Sequence, residues 1–118
     1  MSVGLAQPLS EIGLPIACEI GKSCWIVNLV DVEPSLKVRD YTCNDRTYGG
    51  HKGTDFRLRG FEDMERGVSV LAVADGIVKG MRDGMNDEIL TLESRVQIKG
   101  RECGNGIVLL HTAGWETQ

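Results

Sequence analysis

The chain has 118 residues, a formal net charge of −4, and ordinary hydrophobic but low aromatic content. That length suits one small domain with a modest core. The acidic balance argues against nucleic-acid and anionic-membrane partners, and no apolar run approaches the roughly 18–20 residues that cross a bilayer. Fifteen glycines exceed the usual share and suit many tight turns, as in a β-rich chain.

Residues 1–13 read as a leader. The first basic residue is Lys22, so a basic signal start is missing, but small residues near Ala6 suit the end of a removed signal or an engineered start. Apolar runs at 14–20 and 24–32 flank Gly21-Lys22-Ser23 and read as a hairpin. Residues 36–50 are polar, with turns at Asn44-Asp45-Arg46 and Gly49-Gly50. Residues 53–59 alternate as a strand should, and 61–66 form one helical turn ended by Gly67. Runs at 68–74 and 77–81 flank Asp75-Gly76, the strongest hairpin signal in the chain. Asp83-Gly84-Met85-Asn86-Asp87-Glu88 has calcium-loop residue types without the ligand spacing. Residues 89–98 read as an edge pair. Gly104-Asn105-Gly106 turns into a strand over 107–111. The sequence shows neither internal repeats nor low-complexity segments.

Chemistry concentrates at His51-Lys52-Gly53-Thr54-Asp55. An imidazole and a carboxylate four residues apart are typical zinc ligands. The glycines at 49, 50 and 53 oppose a helix, and Thr54, Phe56 and Leu58 favour a strand. In an ideal strand the two groups would stand roughly 13 Å apart, too far to share a metal. Zinc binding therefore requires a bend, which Gly53 makes cheap. The chain's other histidine, His111, follows Ile107-Val108-Leu109-Leu110. Its residue type suits proton transfer near neutral pH.

Three blocks stand in order along residues 41–118: Gly-His-Lys-Gly-Thr-Asp-Phe at 50–56, Val-Leu-Ala-Val-Ala-Asp-Gly-Ile-Val at 70–78, and Gly-Asn-Gly-Ile-Val-Leu-Leu-His at 104–111. Together they resemble the lysostaphin-like zinc metalloendopeptidases, which cut peptide cross-links of bacterial peptidoglycan. The resemblance implies a mainly β fold: an antiparallel sheet with hairpins and long loops. Strands near 53–59, 68–74, 77–81 and 107–111 would share one sheet, whose groove carries His51, Asp55 and His111, and the domain would span 14–118. It further implies one zinc ion held by His51, Asp55 and a third histidine, with His111 as a catalytic acid/base or oxyanion-stabilising residue. In that family a His-x-His motif follows the last block, and this sequence ends at Gln118 before it. The 118-residue chain is therefore expected to be inactive alone. The alternative is a non-catalytic cell-wall binding or regulatory module of the same fold. The partner implied is a peptidoglycan peptide, in the periplasm or outside the cell. The bond cut and the oligomeric state are left open.

The cysteines number four, at 18, 24, 43 and 103, without a Cys-x-x-Cys pair. An even count in a small domain suits disulfides in an exported protein. Cys18 and Cys24 bracket a turn and are expected to close it. Cys43 and Cys103 are left as a second pair, as free thiols, or with a partner beyond Gln118.

Overall fold

Two antiparallel sheets carry the fold, one of two strands and one of three. The computed structural model describes Leu9 and residues 11–118. Most of the expected leader lies outside the described residues, although Gly13 donates its N–H to the Val73 carbonyl at 2.7 Å. The chain divides into two units, one spanning Ile16–Leu71 and the other joining the described residues before Ile16 to Ala72–Gln118. Each unit holds one sheet.

In the first unit, β1 (Cys24–Asn28) pairs with β2 (Asp55–Leu58). Trp25, Ile26 and Val27 give β1 the aromatic and β-branched side chains that suit a pleated surface. The register runs Cys24↔Leu58, Trp25↔Arg57 and Ile26↔Phe56, then skips Val27 to reach Asn28↔Asp55. Such an extra residue bends its strand and re-aims the side chains beyond it. Helix α1 (Phe61–Arg66) follows and stops at Gly67, whose φ of 81° suits glycine and whose N–H donates to the Met64 carbonyl.

The expected strand at 14–20 does not form. Ile16 makes one isolated bridge to Val70, and the chain then curls between Glu19 and Cys24. Cys18 and Cys24 form a disulfide with their Cα atoms 5.9 Å apart, which closes the small loop between them. Ser23 supports the curl by accepting the Glu19 N–H at 2.9 Å. Cys43 and Cys103 are exposed free thiols, so the second bridge considered above is not formed.

In the second unit, β3 (Ile77–Arg82) pairs with β4 (Gly106–Leu110), and β4 pairs with β5 (Glu116–Thr117). A short 3₁₀ turn at Thr112–Gly114 joins β4 to β5, closed by the His111 N–H donating to the Trp115 carbonyl at 2.8 Å. Lys79 sits at the irregular step of β3 and pairs with Glu116 of β5.

The single sheet expected from 53–59, 68–74, 77–81 and 107–111 is thus corrected. Residues 55–58 pair with β1, and 77–82 pair with β4. The 68–74 run forms no strand: Val70 makes the isolated bridge, Ser69 and Val73 accept the N–H groups of Ala17 and Gly13, and the division between units falls between Leu71 and Ala72. Asp75-Gly76 closes no hairpin. The Asp75 carbonyl accepts from His111 instead. The expected edge pair at 89–98 is also corrected: Leu92–Gln97 forms α2. Thr91 and Ser94 make a reciprocal capping box, with Ser94 N–H to Thr91 Oγ1 at 3.1 Å and Thr91 N–H to Ser94 Oγ at 2.8 Å. That local signal outweighs the β-branched residues around it. Asn105 clasps the base of this excursion through both polar groups of Met85, each at 2.9 Å.

Among the described residues the buried apolar side chains are Cys24 and Leu29, and the buried polar ones are Asp40, His51 and His111. Polar side chains thus outnumber apolar ones in the interior. Buried polar groups need partners, so each of the three marks a place where the fold is specified by hydrogen bonding or by a ligand.

Candidate functional site

His51 is placed from its backbone outward. Its N–H donates to the Tyr48 carbonyl at 3.0 Å, closing a tight turn whose third residue, Gly50, has φ 76°. That left-handed conformation suits glycine and strains other residues. The His51 carbonyl accepts the Asp31 N–H at 2.8 Å, and the Asp31 carboxylate accepts the Gly50 N–H at 2.9 Å. The main chain is therefore gripped on both sides of the ring. Tyr48 packs against the ring itself, with centroids 4.2 Å apart.

After His51 the chain bends at Gly53 and enters β2 at Asp55. The bend brings His51 Nε2 to 3.4 Å from Asp55 Oδ1, against the roughly 13 Å of a straight strand. Nε2 is buried and makes no hydrogen bond. Asp55 is fixed from the other side: its Oδ2 accepts from the Asn28 side-chain amide at 2.8 Å. The Asp55 side chain is 43% exposed, so the pair opens to solvent on that side.

The long connection between β1 and the turn at Gly50 holds one isolated antiparallel bridge, Asp31↔Asp40, and is organised by the carboxylates of those two residues. Asp31 accepts from the N–H groups of Glu33 at 3.1 Å, Arg39 at 3.2 Å and Gly50. Asp40, fully buried, accepts from the Thr42 hydroxyl, the Thr42 N–H at 2.7 Å, the Asn44 N–H at 3.2 Å and the Arg46 N–H at 3.0 Å. Arg46 carries this loop back to β1: its carbonyl accepts the Leu29 N–H at 2.7 Å and its guanidinium donates to the Ile26 carbonyl.

These bonds favour the charged carboxylates. The Gly50 N–H, followed by those of Arg39 and Glu33, holds Asp31 below the ordinary aspartate value. The Thr42 hydroxyl does most for Asp40, with the backbone N–H groups of Thr42, Asn44 and Arg46 adding to it against the cost of desolvation. A carboxylate whose folded pKa lies below its unfolded one contributes stability that is complete above the unfolded value of about 3.9 and is lost as pH falls through the folded value. The loop is therefore expected to hold at neutral pH and to release progressively below about pH 4. The amide signals of Thr42, Arg46 and Gly50 in an acid titration check this. Signals unchanged well below that range would contradict it.

His111 belongs to the second unit, at the end of β4. It is 5% exposed, and both ring nitrogens are engaged. Nδ1 lies 2.8 Å from the Asp75 carbonyl, which only accepts, so Nδ1 carries the proton. In the neutral ring Nε2 then holds the lone pair and accepts from the Thr117 hydroxyl at 2.8 Å. Gly76 makes room for the ring.

The structure therefore brings His51 and Asp55 together and gives His111 partners of its own. Sequence reading missed Asn28, Asp31 and Tyr48. A signal for the first two was present: a polar amide and a carboxylate interrupting the apolar run that begins at Trp25. Among the described residues no cluster of three or more His, Cys, Asp or Glu is arranged to hold a metal. No helix among them is long and apolar enough to cross a membrane. Comparison of the chain with family models, curated proteins and solved structures gives no match.

Proposed function

We propose that the chain carries part of a zinc metalloendopeptidase site, with His51 and Asp55 as the ligand pair and peptide cross-links of bacterial peptidoglycan as the substrate. The observation that carries this reading is the 3.4 Å separation of a partnerless buried Nε2 from a carboxylate oxygen. With the ring's proton on Nδ1, the Nε2 lone pair and the carboxylate face each other and attract a cation between them. Bonds of about 2.0–2.1 Å at a tetrahedral angle place nitrogen and oxygen ligands about 3.3 Å apart, close to the separation of this pair. The resemblance of the three sequence blocks to the lysostaphin-like family supplies the metal's identity and the substrate class.

When bound, zinc supplies a Lewis acid for the scissile carbonyl and acidifies a water. The chain's own part is to hold the ligands: the Gly50 turn and Asp31 fix the His51 main chain, and Asn28 fixes Asp55. A proton-transfer role for His111 is what the resemblance implies; both its ring nitrogens are engaged here, by the Asp75 carbonyl and the Thr117 hydroxyl. The Cys18–Cys24 bridge suits an oxidising compartment, in keeping with export to the periplasm or the cell exterior.

A second reading, a non-catalytic module that binds cell-wall peptide or regulates another hydrolase, is favoured by the pair having no third ligand among the described residues. Two protein ligands hold zinc weakly, since catalytic sites generally use three. Calorimetric zinc titration of the 118-residue chain is expected to show weak binding that His51→Ala abolishes. Incubation with purified cell wall is expected to release few or no new amino groups. Equal zinc binding by the variant would overturn the ligand assignment, and clear cleavage by this chain would overturn the non-catalytic reading.

A further inference from the structure

We propose that Asn28 is a positioning residue for Asp55, selecting which carboxylate oxygen faces the metal. The proposal rests on the reading of His51 and Asp55 as zinc ligands and adds a residue that the sequence motif does not contain.

A free carboxylate rotates and offers either oxygen, alone or both together. In this structure the choice is made. Oδ2 accepts from the Asn28 amide at 2.8 Å, and Oδ1 faces His51 Nε2 at 3.4 Å. Outer hydrogen bonds of this kind orient metal ligands and are worth about 10- to 100-fold in metal affinity.

The backbone is arranged to make that bond. Ile26 stands opposite Phe56, so an unbroken antiparallel ladder would place Val27 opposite Asp55. The extra residue in β1 advances the register by one, and Asn28 takes that place. An irregular step is thus spent where it exchanges an apolar neighbour of Asp55 for an amide.

The residue type also matters. A lysine or arginine there would neutralise Asp55 and compete with a cation. A second carboxylate would repel it. An asparagine donates a hydrogen bond while leaving the full negative charge for the metal. The β1–β2 ladder is built from backbone hydrogen bonds, so pairing of the strands does not depend on this side chain.

The test is calorimetric zinc titration of wild type, His51→Ala and Asn28→Val, with thermal unfolding of each metal-free protein. Valine has a β-branched shape that suits a strand, and it removes the donor. The expected result is zinc binding at least about tenfold weaker in Asn28→Val, with metal-free stability close to wild type. Equal affinity in Asn28→Val, alongside loss in His51→Ala, would overturn the positioning role and leave the ligand reading intact. A lower melting temperature with unchanged affinity of the folded protein would show a merely structural asparagine and overturn it too. Zinc binding absent from wild type, or untouched by His51→Ala, would remove both readings together. Should Asn28→Val fail to fold, Asn28→Ala, which also removes the donor, is read by the same criteria.

Discussion

Gly76→Ala is expected to dislodge His111 and destabilise the protein by about 1–3 kcal/mol through overpacking alone. A Cβ at position 76 would lie 2.8 Å from His111 Nδ1, 2.9 Å from the Leu110 carbonyl oxygen and 3.1 Å from His111 Cε1. The ring could swing away, but the carbonyl belongs to β4 and is held by its ladder. If the ring leaves, two buried nitrogens lose the Asp75 carbonyl and the Thr117 hydroxyl. Stranding such groups costs about 1–3 kcal/mol each, so the combined loss is expected at the upper end or beyond. Gly76 is not in the left-handed region, so the obstacle is space and not dihedral strain. Thermal unfolding together with the His111 ring signals in NMR checks this. An unchanged melting temperature with the ring signals in place would refute it.

The second large effect is expected from the Cys18–Cys24 bridge. Its closed loop spans a sequence separation of 6, which on the chain-entropy account constrains the unfolded chain by about 2 kcal/mol. The Cys18→Ala, Cys24→Ala double variant is the cleaner removal, because Cys24 is fully buried and a serine there would bury an unpaired hydroxyl. For a chain of this size the melting temperature is expected to fall by roughly 5–15 °C. A thiol titration fixes the starting state: the unreduced protein should show only Cys43 and Cys103, and reduction should add the other two. Four titrating thiols in protein made under oxidising conditions would refute the bridge.

Local signals carried most of what could be read in the sequence. The helical turn ended by Gly67, the strand entered at Asp55, the bend at Gly53 and the closure of Cys18 on Cys24 all follow from residues near one another in the chain. Pairings set by distant residues were not legible. The run at 68–74 has the composition of a strand, yet nothing local to it reveals that it divides between two units. Asp75-Gly76 has hairpin chemistry, but its carbonyl and its missing side chain serve a histidine 36 residues away. At 89–98, expected as an edge pair, the reciprocal cap of Thr91 and Ser94 starts a helix instead. At the site, the His51 and Asp55 residue types were legible. The donors that fix them, Asn28 and Asp31, lie in a different strand and loop, and only the register of β1 on β2 reveals the first of these.

Thr117 gives His111 a partner that works in either direction. A hydroxyl can donate to a lone pair or accept from an N–H by turning about its C–O bond. When the ring takes up a second proton at Nε2, the hydroxyl hydrogen has only to rotate away for the 2.8 Å contact to survive with its polarity reversed. The Asp75 carbonyl accepts in both states. Both contacts of the ring can thus be kept whether Nε2 bears a hydrogen or a lone pair, with only the Thr117 hydroxyl hydrogen reoriented.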